Sequence, residues 1–127
     1  MVTLKELIEE VGVDAARFFF NLREPNSHFD FDLDLAVSES SNNPVYYVQY
    51  AHARICSVIR NLEEQGIHLR KCTADELKLL DKPEETELIS CLSQFTDETV
   101  QAAALYDPAR ITHYITDAAT KFHKFYS

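Results

Sequence analysis

The stretch "NNPVYYVQYAHARICSVIRNLEEQG", residues 42–66, decides how this chain folds. Asn43 is a natural N-cap and Pro44 suits the first helical position, where its missing N–H costs nothing. From there the apolar residues Val48, Ala51, Ile55, Val58, Ile59 and Leu62 recur at helical spacing, and Gly66 is the expected stop. The pattern predicts one helix to Gln65, roughly 33 Å long. Stepping roughly 100° per residue from Tyr46 puts Tyr46, Tyr50, Arg54 and Tyr47 on one face, apart from the apolar stripe. His52 falls just past the stripe. Tyrosines on a helix are most often packed against a neighbour, and Tyr47, nearest the stripe, fits that role. Tyr46, Tyr50 and Arg54 together suit contact with unstacked bases, with Gln49 or Asn61 able to read a base edge.

The flanks extend the helical reading. Thr3 and Glu6 form a capping box, and Val2 with Leu7 is spaced for a hydrophobic staple. Leu4, Leu7, Ile8 and Val11 make the stripe of a first helix that Gly12 ends. A second helix over 13–22 is expected to bury Ala16, Phe19 and Phe20. Residues 23–28 read as a turn. "FDFDLDLA", residues 29–36, alternates like a strand, but three aspartates disfavour one. The compromise is an extended piece over 28–31, with Asp32 capping a helix to about Ser40. Beyond Gly66 come a loop carrying Arg70 and Lys71, and a short capped helix in "TADELKLL". A helix opened by Pro83 should turn Leu88, Ile89, Leu92 and Phe95 inward, and another spans about 97–105. Asp107 and Pro108 open a last helix with the stripe Ile111, Ile115, Ala118, Phe122 and Phe125. The fold expected is all-α: an antiparallel helix bundle over 42–127, preceded by a small helical and extended linker over 1–41.

Bulk properties agree. The 127 residues suit one domain, and 46% hydrophobic with 26% charged residues is ordinary for a globular chain. Two glycines and four prolines leave little material for a turn-rich β architecture. No apolar run approaches the roughly 20 residues of a membrane span. Cys56, Cys72 and Cys91 are odd in number and far apart. A disulfide framework or zinc site is not expected, all three read as buried or half-buried helix residues, and a reducing cytoplasm fits. The formal charge of −9 opposes nucleic acid at long range.

Constellations for chemistry are lacking. A calcium loop from Asp30 would need Gly at its sixth position and Glu at its twelfth, where Leu35 and Ser41 stand. The five histidines make no zinc-helix pair, and no nucleophile elbow or phosphate loop occurs.

"NPVYYVQYAHARI" resembles the helix that opens the anticodon-binding domain of arginyl-tRNA synthetases, a class I family. "VTLKELIEEVGVDAARFFF" resembles the segment after that family's KMSKS-type loop, and "SHFDFDLDLAVSESSNNP" its linker into the helical domain. "LLDKPEETELISCLSQF" and "YDPARITHYITDAATKFHKFY" resemble its later helices. The resemblance implies recognition of the anticodon loop of tRNA(Arg). It carries Tyr47, Gln49, Tyr50, His52 and Arg54 over as anticodon-facing residues, beside Tyr46 from the wheel. Arg60, Arg70, Lys121 and Lys124 are expected nearest the phosphates. Asp14 and Arg17, at the family's DA-x-R positions, read as a helix start and an ion pair. The resemblance further implies an excised C-terminal fragment of a bacterial-type ligase, with Met1 an added start and the last helical residues absent. Such a fragment is not catalytic and holds no cofactor or metal, because ATP and arginine bind the missing catalytic domain of the parent. The partners implied are the tRNA and that catalytic domain, with no membrane. The alternative reading is a helical protein–protein interaction domain, in which the acidic, tyrosine-bearing surface meets a basic or aromatic-lined partner.

Overall fold

A computed structural model describes residues 2–24 and 26–127; Met1, and Pro25 within the turn expected over 23–28, lie outside the described residues. Among the described residues every regular element is helical: α1 (Leu4–Val11), α2 (Val13–Phe20), α3 (Leu33–Val37), α4 (Pro44–Glu64), α5 (Ala74–Leu77), α6 (Pro83–Ser93), α7 (Phe95–Ala104) and α8 (Ala109–Tyr126). The all-α bundle expected from the periodicity is what forms.

The N-terminal helices are set by their ends. Thr3 and Glu6 satisfy each other's backbone N–H groups, at 2.7 Å for Thr3 N to Glu6 Oε2 and 3.3 Å for Glu6 N to Thr3 Oγ1. Gly12, at φ +82°, ends α1 and turns the chain directly into α2. No neighbour lies where its Cβ would stand, so the glycine serves the backbone angle alone. α1 packs on α2 and α3, and α2 also reaches α4. Ala15, Phe19, Ala36 and Val45 form the buried cluster there, wrapped by Phe29, Phe31 and Leu35. Phe20, expected on the same face, is half exposed. One residue past Phe19 it points sideways, and its ring leans on Phe29 and Phe31 at 6.4 and 5.7 Å. The Asp14–Arg17 ion pair does not form among the described residues; both side chains are exposed.

Asp32 caps α3 as expected, accepting from Leu35 N at 2.9 Å, although the helix stops at Val37. Asn43 then joins α3 to α4. It is 2% exposed; its Oδ1 accepts from Val45 N and Tyr46 N, and its Nδ2 donates to Ala36 O and Ser38 O. One side chain thus satisfies the end of one helix and the start of the next. α4 runs to Glu64, and Gly66 at φ +76° closes it with Ile67 N donating back to Leu62 O.

α8 is the hub, packed against α4, α6 and α7 and tied to the end of α2 by Thr112 Oγ1 donating to Asn21 O at 2.7 Å. Its most buried residues are Ala109, Thr112 and Ala119. The expected stripe is only half-buried, and Phe125 is exposed. A helix with three neighbours puts small residues where backbones approach closely and leaves large ones in the gaps. Asp107 Oδ1 accepts from Ala109 N at 3.2 Å, with Pro108 taking the cap position one residue later than expected.

The same correction applies to α6. Cys91 faces α8 and is buried, whereas Ile89, Leu92 and Phe95 are exposed. Leu92 and Ile89 sit roughly 100° and 160° around the helix from Cys91, away from the one side that α8 covers. On α4 the buried residues are Val45 and Ala51, both in its first half. Ile55 is exposed, and Val58, Ile59 and Leu62 are only partly covered. The cysteine expectation also fails for two of three: Cys56 and Cys72 are exposed, and all three thiols are free. Cys56 lies on the uncovered side of α4, and Cys72 stands outside any helix, just before the cap of α5. No helix of the described residues is long and apolar enough to cross a membrane.

Candidate nucleic-acid interface

The cap at Asn43 fixes where the first turns of α4 point. Tyr46 and Tyr50, one turn apart, hold their rings almost parallel, 7° between planes and 6.3 Å between centroids. One turn further, the Arg54 guanidinium lies over the Tyr50 ring at 5.7 Å and over Tyr126 of α8 at 4.7 Å. His123 of α8 sits between these groups. Its ring is 4.8 Å from Tyr47 and 5.6 Å from Tyr50, stacked on the latter at 24°. Its Nδ1 lies 3.5 Å from Arg54 Nη1. Together with Glu39, Ser40 and Ser41 of the α3–α4 connection, Tyr46, Tyr47, Tyr50, Arg54 and His123 line one open hollow of about 440 Å³.

Four of the six residues singled out in the sequence therefore share a concave surface: Tyr46, Tyr47, Tyr50 and Arg54. Tyr50 is 47% exposed, so its ring remains available to a ligand despite its neighbours. Gln49 borders an adjoining hollow with Glu10, Asp14 and Asn43, into which Tyr46 also reaches. His52 lies elsewhere, its Nε2 3.7 Å from Cys56 Sγ on an exposed side of α4. His123 and the Glu39–Ser41 segment were not singled out in the sequence. The mixed aromatic and basic string "FHKFY", residues 122–126, was the one available signal for the former. The latter joins the hollow only because Asn43 folds the connection back.

The surrounding charges are mostly spent within the protein. Arg70 forms a two-pronged contact with Glu76, Lys121 lies 3.6 Å from Asp117, and Lys124 donates to Glu87 at 3.0 Å. Each member of the Lys124–Glu87 pair holds the other in its charged form: the carboxyl is pushed down and the ammonium up by their hydrogen bond. Of the four cations expected near phosphates, Arg60 alone is seen in no ion pair among the described residues. No cluster of three His, Cys, Asp or Glu side chains positioned for a metal ion occurs among the described residues.

Fold and hollow define an all-α domain that offers stacked tyrosines and a guanidinium on one surface. The DALR anticodon binding domain family matches residues 48–127, more than half of the chain. The chain belongs to that family. It is also 54% identical, over 127 residues, to the arginine–tRNA ligase of Caldanaerobacter subterraneus subsp. tengcongensis, covering 100% of this chain and 23% of that protein. The arginine–tRNA ligase of Ruminiclostridium cellulolyticum is 52% identical over 126 residues, with 99% and 22% covered. A crystal structure of an arginyl tRNA synthetase from Campylobacter jejuni superposes with a TM-score of 0.68 at 28% identity, covering 99% of this chain and 27% of that one. The chain thus spans about a quarter of the length of these relatives.

Proposed function

We propose that this chain is the anticodon-reading part of an arginine–tRNA ligase, and that its hollow receives bases of the tRNA(Arg) anticodon loop. The observation that carries this reading is the near-parallel Tyr46 and Tyr50 pair beside the Arg54 guanidinium in one open hollow. A splayed base gains a π-face to stack on and a planar cation to cover it. Stacking acts at contact distance, so it survives a formal charge of −9 that repels RNA from afar. Of the four cations expected near phosphates, Arg60 is the one seen in no ion pair among the described residues and is left to meet a phosphate. Ser40 and Ser41 in the hollow, and Gln49 at the adjoining one, are polar groups available to base edges. Aminoacylation itself, with ATP and arginine, belongs to another part of the parent ligase, and the cytoplasm is where such a ligase works.

The test is fluorescence anisotropy with a labelled anticodon stem–loop of tRNA(Arg), and in parallel with a stem–loop carrying an unrelated anticodon. Tyr50→Ala and Arg54→Ala should each weaken binding by about 1–3 kcal/mol, the worth of a stacked base. Equal affinity for both stem–loops, or unchanged binding by both variants, overturns the assignment.

A further inference from the structure

His123 occupies a place in the hollow that the reading above does not use. Arg54 is a donor only, so the 3.5 Å contact between Arg54 Nη1 and His123 Nδ1 is a hydrogen bond only if Nδ1 offers a lone pair. The hydrogen of the neutral ring then resides on Nε2. That nitrogen is buried and has no hydrogen-bond partner among the described residues. The ring's other contacts are aromatic: Tyr47, Tyr50, and Phe122 at 5.8 Å on its own helix. We propose that His123 is a positioning residue, whose Nδ1 holds the Arg54 guanidinium against Tyr50 and Tyr126, and that protonation of His123 releases Arg54 and disables the hollow. The ligand part of this inference rests on the function proposed above; the tautomer and the release do not.

The chemistry is simple. A proton delivered by hydronium to Nδ1 consumes the lone pair that Arg54 uses and releases neutral water, leaving an imidazolium facing a guanidinium 3.5 Å away. The groups facing His123 from α4 are Tyr47, Tyr50 and Arg54. From the α3–α4 connection Glu39 lines the same hollow, without a hydrogen bond to either cation. On α8 itself Lys124 is turned to Glu87 and Lys121 to Asp117. The lone pair that holds Arg54 exists only while Nδ1 carries no proton, so the hollow is competent with His123 neutral and loses Arg54 once His123 is protonated.

Nitrogen-15 NMR of the free chain tests the device without RNA. Expected are an acceptor-type Nδ1 signal and a protonated Nε2 at pH 8, with the Arg54 guanidinium and Tyr50 ring signals moving together with the His123 titration. A hydrogen on Nδ1 at pH 8, or an Arg54 signal indifferent to that titration, overturns the inference. Anisotropy with the tRNA(Arg) stem–loop supplies the second arm. Wild type should bind about tenfold more weakly at pH 5.5 than at pH 8, the scale of one hydrogen bond to a charged group. His123→Phe, which keeps an aromatic ring but no acceptor, should be weak and flat across that range. His123→Asn, which restores an acceptor that does not titrate, should recover binding and stay flat. A wild-type pH profile in His123→Phe overturns the inference. Failure of the stem–loop to bind wild type at any pH overturns the anticodon reading instead, and the NMR result then decides the device alone.

Discussion

Asn43 shows how much one side chain can determine. Buried, it closes the end of α3 and opens α4 with four hydrogen bonds. The cap was legible at once, because Asn before Pro is a helix-opening signal. The two carbonyls it serves on α3 were not, because they lie five and seven residues back. Asn43→Ala should cost about 2–3 kcal/mol, a lost cap plus two abandoned carbonyls, one buried and one half-buried. Asn43→Asp should not restore this, because a carboxylate still caps but cannot donate. Urea unfolding of both variants checks it; a loss confined to the alanine variant would show that only the cap matters. The tyrosine face was legible in the same way. Tyr46, Tyr50 and Arg54 meet because residues four apart share a side of a helix. Gln49 and His52 fail to join them for the same reason, since their steps carry them around the cylinder.

Among the elements, α5 is ordered by polar contacts. It has four residues, none of them buried. The Thr73–Glu76 box and the Arg70 fork supply its order. Glu76 is lowered to about 2, first by the hydrogen bonds from Arg70 and then by the Thr73 backbone N–H. A depressed carboxylate contributes above its ordinary value near 4.5, and that contribution fades as pH falls toward 2. A side-chain carboxyl NMR titration should therefore place Glu76 well below the ordinary value near 4.5. The Leu77 and Leu79 amide signals should change with it in the same window. A Glu76 midpoint near 4.5 would mean that the fork is not populated in solution. The box at Thr73 was legible as a spaced Thr and Glu. The fork was not, because Arg70 reaches across a loop whose path the sequence does not state.

At the scale of the molecule, the accessible surface is 9536 Å². A compact chain of 14.6 kDa would expose about 6,900 Å². The excess is concentrated where packing is thinnest. Leu69 and Leu79 are 69% and 76% exposed, and Ile89 and Leu92 face outward on α6. Stability then resides in the Phe19 cluster and along α8. Phe19→Ala should cost about 3–5 kcal/mol, whereas Leu79→Ser should change stability by less than about 0.5 kcal/mol. Thermal and urea denaturation of the two variants decides this; a large loss at Leu79 would place the loop before α6 against the bundle in solution.

Local signals determined the elements. Caps, glycine stops and periodicity placed the helices to within about three residues, α3 ending at Val37 rather than Ser40 and α7 starting at Phe95 rather than 97, because a helix is made of contacts three and four residues apart, and those are written in the order of the chain. The same periodicity separated the aromatic face of α4 from its apolar stripe. Tertiary structure alone decided which apolar stripes are covered. Leu92, Ile55 and Phe125 look like core in the sequence and are exposed, because burial depends on which neighbour stands opposite. It also decided that His123, some seventy residues from Arg54, completes the hollow. A contact between two helices depends on their crossing, and no spacing within either one encodes it.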